Sequence, residues 1–151
     1  MKKIYQLILA TFLLIITIQS TGQVAYSPVV ESLTQEITEE SLMELENPLT
    51  GTVPTIIGGE EYTIATRNAF TEGNEKAAQW IYERFEEFGL EPWYHEYDAN
   101  GTNVLAKIEG SEFPDQQYII CGHYDNMPSG SLAPGADDNA SGTVAVLEAA
   151  R

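Results

Sequence analysis

His123 and Asp125 stand two residues apart in Cys121-Gly122-His123-Tyr124-Asp125, and Asp137-Asp138-Asn139 follows after a loop rich in Gly, Pro and Ser. On an extended chain, residues two apart point to the same side, so this imidazole and this carboxylate share a face. A carboxylate so placed accepts the second ring N–H of the histidine, fixes its tautomer and raises its basicity as a metal ligand. The loop over residues 126–135 holds Pro128, Gly130, Pro134 and Gly135, residue types that turn a chain back on itself. It can therefore return Asp138 to the pocket of His123. Carboxylates ahead of a helix sit at its positive end and can hold a hard or borderline cation. On residue chemistry alone there are two or three candidate ligands, fewer than a closed zinc site needs. Calcium stays open, and Asp-Asp-Asn before a helix is also an ordinary cap.

The elements around these residues must position them. Residues 117–122 are apolar at consecutive positions, Tyr118-Ile119-Ile120-Cys121, which reads as a strand buried on both faces. Ligands of open α/β sheets bind at the carboxyl ends of such strands, where His123 and Asp125 fall. Cys121 is the single cysteine; it reads as a small buried hydrophobe and not as a nucleophile. After the loop, residues 141–151 read as a helix with Val144 and Leu147 inward. Upstream, Ser27-Pro28 starts one helix with Val30, Leu33 and Ile37 at helical spacing. Thr38 caps a second, carrying Glu39, Glu40, Leu42 and Leu45 and closed near Pro48. Residues 50–67 read as loop. Ala77, Ile81, Phe85 and Phe88 form the apolar stripe of a third helix, with Trp80 beside it and Gly89 as its stop. Two strands follow, over residues 91–97 and 103–108, with Asn100-Gly101 as the turn between them. His95 lacks neighbouring ligands and reads as an edge residue.

Composition narrows the function classes. The chain has 151 residues, 7 Lys and Arg against 23 Asp and Glu, and a formal net charge of −16. Clustered cations are what phosphate contacts require, so nucleic acid is not an expected partner. Lys2 and Lys3 precede a mostly apolar run over residues 4–18, followed by Gln19-Ser20-Thr21-Gly22. This is an export-signal pattern. The run falls short of the roughly 20 residues of a membrane span, so a secreted or periplasmic product with no stable span after cleavage is expected. The domain reading is a signal peptide over residues 1–22 and one domain over 23–151, with a helical lead-in about 27–47 and an α/β core about 70–151.

Two ordered motifs, Gly122-His123-Tyr124-Asp125 and Pro134-Gly135-Ala136-Asp137-Asp138-Asn139-Ala140-Ser141-Gly142, carry a family resemblance. Asn103-Val104 and Gly73-Asn74-Glu75-Lys76-Ala77-Ala78 also fit. The sequence resembles the secreted zinc aminopeptidases with two co-catalytic metals, the family that also includes glutamate carboxypeptidases and glutaminyl cyclases. The resemblance implies a three-layer α/β/α sandwich with a mixed, mostly parallel central sheet. It implies that His123 ligates one zinc, that Asp125 orients His123, and that Asp138 bridges two zinc ions. Asp137 and Asn139 would be supporting residues, with a cis peptide at Asp138-Asn139. The remaining ligands and a general-base Glu would lie beyond Arg151, so that residues 1–151 alone would be inactive. The implied reaction is hydrolysis of the N-terminal peptide bond of a peptide or protein with a free N-terminus, by a metal-activated water. A glutaminyl cyclase-like acyl transferase and a non-catalytic peptide-binding ectodomain of the same fold are the alternatives.

Overall fold

The computed structural model describes residues 26–99, 101–127 and 132–151. The expected signal segment, residues 1–22, and the loop residues Pro128 and Gly130 lie outside the described residues. The chain divides into two compact units, residues 1–36 and 37–151.

In the first unit, helix α1 spans Pro28–Glu36. Ser27 starts it as its residue type suggests: its carbonyl accepts the Glu31 N–H at 3.0 Å and its Oγ accepts the Val30 N–H at 3.4 Å. None of its residues is buried.

The second unit begins with α2, Glu39–Leu49. Thr38 and Ser41 form a reciprocal capping box, each side chain accepting the other's backbone N–H at 3.1 Å. Such a cap satisfies two of the orphan donors of the first turn. Pro48 lies inside the final turn, and the helix closes on Thr50.

Residues 50–67, which read as loop, contain a β-hairpin. β1 (Thr55–Ile57) pairs antiparallel with β2 (Glu60–Tyr62). The two-residue turn Gly58-Gly59 has φ of +64° and +82°, a geometry that matches the twist of the flanking strands.

Helix α3, Glu72–Glu87, buries Ala77, Trp80, Ile81 and Phe85, the stripe its periodicity marks. Trp80 Nε1 donates to Thr55 Oγ1 at 3.2 Å, which ties the hairpin to the helix. β3 (Trp93–Glu96) and β4 (Thr102–Leu105) form a second antiparallel pair. Tyr94 of β3 stacks on Tyr82 of α3, with ring centroids 4.7 Å apart. Helix α4, Ser141–Ala150, packs against α2 and α3. One core results, with Leu49, Ile57, Ile64, Trp80, Ile81, Val144 and Leu147 at its centre. Full burial of an aliphatic side chain of this size contributes about 1.5–3 kcal/mol, and helices this short depend on such packing.

Two expectations need correction. Residues 117–122 carry no strand, and Tyr118 and Ile119 are 92% and 87% exposed. Cys121 is likewise exposed, not packed inside. A strand exists through hydrogen bonds to a neighbour, and neither two-stranded sheet includes this segment. The described architecture is therefore mixed α/β, with helices around two small antiparallel sheets.

Candidate metal centre

His123 lies between a hydrogen-bonded loop and the start of α4. Thr143, in the first turn of α4, donates its hydroxyl to the His123 carbonyl at 3.1 Å and to the Asn139 carbonyl at 3.2 Å. Gly122 passes close to the same turn: a Cβ there would stand 2.9 Å from the Gly142 carbonyl oxygen. No other residue type lets the His123 segment lie so near the helix.

The imidazole has both nitrogens engaged. Its Nδ1 is 3.1 Å from Asp125 Oδ1 and 3.2 Å from the Asp125 carbonyl oxygen. Its Nε2 is 3.3 Å from Asp138 Oδ1. Two acceptors of Asp125 facing Nδ1 select the tautomer with the proton there. Nε2 then presents a lone pair toward Asp138, itself a lone-pair donor when ionised. Two such atoms face each other stably when a cation lies between them, either a proton on the ring or a metal ion.

The geometry suits zinc. Ligand atoms at about 2.0–2.2 Å from one zinc, at tetrahedral angles, stand about 3.3–3.6 Å apart, and the observed Nε2–Oδ1 separation of 3.3 Å lies at the short end of that range. His123 and Asp138 are both open to solvent, with side chains 56% and 83% exposed. Among the described residues, no group of three or more His, Cys, Asp and Glu is placed to hold a metal. The described residues thus supply two convergent donors, and a carboxylate that orients one of them.

Asp138 is carried by a wide turn over Ala136–Ala140 that runs into α4. The Asp138-Asn139 peptide is cis, as the resemblance implies. Asn139 Oδ1 accepts the Gly142 N–H at 3.0 Å and so caps the first turn of α4. The Asp137 carbonyl accepts the Ser141 hydroxyl at 3.3 Å, while its side chain stays at the surface. His95 is away from this cluster, hydrogen-bonded to Asn103 at 3.2 Å.

Behind the cluster lies a residue that the motif reading passes over. Arg67 is fully buried, and its guanidinium meets only backbone carbonyls. Nε donates to the Tyr124 carbonyl at 2.7 Å. Nη1 donates to the carbonyls of Leu49 and, at 2.9 Å, Pro134. Nη2 donates to the Gly135 carbonyl at 2.9 Å. Burial lowers the Arg67 pKa, and the negative charges of Asp125 and Glu46 oppose that shift. Asn126, also buried, accepts the Arg67 N–H through Oδ1 at 3.0 Å and donates Nδ2 to the Ala133 carbonyl at 2.6 Å. The sequence signal was slight: one Arg after a loop, its partners all main-chain atoms of distant segments. Tyr124 points the other way, donating its hydroxyl to the Thr102 carbonyl at 2.8 Å. Burial first, then the neighbouring Tyr97 and Asp125, pushes its phenol up to about 12.

Residues 103–151 match the model of Peptidase family M28. A probable zinc metalloprotease of Pyrenophora teres f. teres (strain 0-1) is 33% identical over 121 residues, covering 62% of this chain and 24% of that protein. A probable zinc metalloprotease of Pyrenophora tritici-repentis (strain Pt-1C-BFP) matches with the same identity and coverage. A further probable zinc metalloprotease of Pyrenophora teres f. teres matches at 29% over 161 residues, covering 87% of this chain and 35% of that protein. The chain thus spans about a quarter to a third of the length of these relatives. No solved structure matches. The matched region begins within β4 and takes in His123, Asp125 and Asp138, and over it the chain is similar to peptidase family M28.

Proposed function

We propose that the full-length protein is an exported zinc aminopeptidase, and that His123, Asp125 and Asp138 are part of its metal centre. The observation that carries the proposal is the meeting of His123 Nε2 and Asp138 Oδ1 at 3.3 Å, with Asp125 holding the opposite ring nitrogen. The family match and the relatives' names support zinc and proteolysis. In this reading His123 would hold one zinc, Asp138 would be shared between two, and Asp137 and Asn139 would support the turn that carries Asp138. Further ligands and a general-base Glu would be supplied by other parts of the full-length protein. Its fold would be the three-layer sandwich, with residues 117–122 taken into a central sheet.

Bound zinc would supply a Lewis acid and would lower the pKa of a water it holds to about 7. The chain's own residues set the conditions for it. Asp125 keeps the His123 proton on Nδ1 and the ring in one orientation, so that Nε2 faces Asp138 with its lone pair. Asp138 brings negative charge to the same point. The acidic surroundings attract a substrate α-ammonium group, in keeping with cleavage at a free N-terminus.

The test is hydrolysis of aminoacyl-4-nitroanilides by the full-length protein before and after chelation. Activity lost with the metal and restored by zinc supports the proposal. Full turnover in metal-free protein refutes it. Cleavage of N-terminally blocked peptides alone would refute the aminopeptidase reading while leaving zinc proteolysis standing.

A further inference from the structure

We propose that Arg67, with Asn126, is a positioning residue for the metal centre: a buried cationic clamp that fixes His123 relative to Asp138 from behind. This rests on the zinc reading above and adds the device that sets its geometry. Arg67 uses four N–H donations to hold three separate pieces of chain. One is the C-terminal end of α2, through the Leu49 carbonyl. Another is the peptide between His123 and Asp125, through the Tyr124 carbonyl. The third is the approach to Asp138, through the carbonyls of Pro134 and Gly135. The main chain of Arg67 takes part as well. Its carbonyl accepts the Asn126 N–H at 3.2 Å and Asn74 Nδ2 at 2.9 Å.

Asn126 closes the same unit, since its side chain bridges the Arg67 N–H to the Ala133 carbonyl. Two residues thus connect the His123 side of the loop to the Asp138 side. There is no room for slack at the junction. Gly135 has φ of +52°, and a Cβ there would lie 2.8 Å from the Asp138 carbonyl oxygen, 2.9 Å from Asn126 Nδ2 and 3.0 Å from Arg67 Nη2.

The choice of arginine follows from its chemistry. A planar guanidinium offers five N–H donors in a fixed fork, whereas a lysine ammonium offers three on a flexible stem. Four carbonyls converging on one guanidinium suit the fork. A buried cation is costly unless fully hydrogen-bonded, and Arg67 meets that cost with carbonyls of the segments that carry His123 and Asp138. A residue that acts through ligand orientation should change metal affinity about 10–100-fold, the range for outer-shell partners.

The test uses full-length protein, with zinc titrated against a chromophoric chelator. Arg67→Met and Asn126→Ala are compared with wild type and with Leu147→Ala, a core change remote in chemistry from the site. The expected result is that folded Arg67→Met and Asn126→Ala bind zinc about 10–100-fold more weakly, with an altered visible spectrum of the cobalt-substituted protein. Leu147→Ala should lower the melting temperature and leave zinc affinity unchanged. Wild-type affinity in folded Arg67→Met overturns the clamp. If Arg67→Met does not fold, Asn126→Ala decides by the same criterion, and failure of both to fold also overturns it, because the device would then hold the fold and not the site. Wild-type protein that binds no zinc refutes the functional proposal instead. The clamp is then judged by amide exchange over residues 122–126 and 133–139 of metal-free Asn126→Ala: faster exchange than wild type supports it, and equal exchange overturns it.

Discussion

His123 is approached from two sides that differ sharply. On one side, Arg67, Asn126 and Thr143 hold the loop and the start of α4 through buried or half-buried hydrogen bonds. On the other, residues 117–122 lead into the site as a run of exposed apolar side chains outside both described sheets. The first side meets its needs locally: every guanidinium contact is a carbonyl within the same compact unit. The second is apolar and uncovered, and contiguous exposed apolar surface marks a place where something docks. The lesson is that a ligand's position is set by polar main-chain capture here, and burial of the strand leading to it is a separate matter. The functional proposal gives residues 117–122 their neighbours in a larger sheet.

The largest effect should come from the ligands themselves. His123→Ala or Asp138→Ala in the full-length protein should reduce activity by more than about 100-fold, beyond the range seen when an orienting partner is lost. Turnover on an aminoacyl-4-nitroanilide checks this, with zinc content measured alongside. Asp125→Asn should follow at about 10–100-fold in zinc affinity, since an amide cannot replace the carboxylate that holds the Nδ1–H. An unchanged affinity in Asp125→Asn would remove that side chain from the account.

Stability measurements sharpen the contrast between covered and uncovered regions. Leu147→Ala removes a fully buried side chain from the core and should cost about 2–5 kcal/mol in denaturant unfolding. Ile119→Ala should stay within about 0.5 kcal/mol in the 151-residue chain, as exposed substitutions do. In the full-length protein the same change should cost distinctly more if the segment joins a sheet. Equal small costs in both would contradict that part of the functional proposal.

A further, pH-dependent effect concerns the side chain of Tyr124, whose hydroxyl donates to the Thr102 carbonyl. Its phenol lies at about 12 when folded and at 10.0 in its ordinary state. The folded state therefore binds the proton more tightly. Its contribution is complete below pH 10 and declines as pH rises toward 12. Tyr124→Phe should flatten that alkaline decline and cost about 1 kcal/mol at neutral pH through the lost bond to Thr102. Urea unfolding at pH 8 and pH 11 measures both.

Much of this was legible in the sequence, for identifiable reasons. The α3 stripe of Ala77, Ile81 and Phe85 and the Thr38 cap are local patterns, and both formed as their spacing implies. His123 and Asp125 share a side because two residues on an extended chain must. The return of Asp138 to His123 also followed from loop composition. The hairpin over residues 55–62 was missed because its strands are three residues each, too short to show alternation, although Gly58-Gly59 is a hairpin turn signal. Residues 117–122 were misread because consecutive apolar residues announce a need for burial without naming what covers them. Arg67 escaped notice because a guanidinium that binds carbonyls has partners with no side-chain signature.

The most direct test of the central claim is a crystal structure of the full-length protein soaked in zinc, with anomalous differences collected at the zinc edge. The account requires an anomalous peak within about 2.0–2.2 Å of both His123 Nε2 and Asp138 Oδ1, with Asp125 still on Nδ1. Zinc bound at other residues, with His123 and Asp138 facing each other and no peak between them, would contradict it.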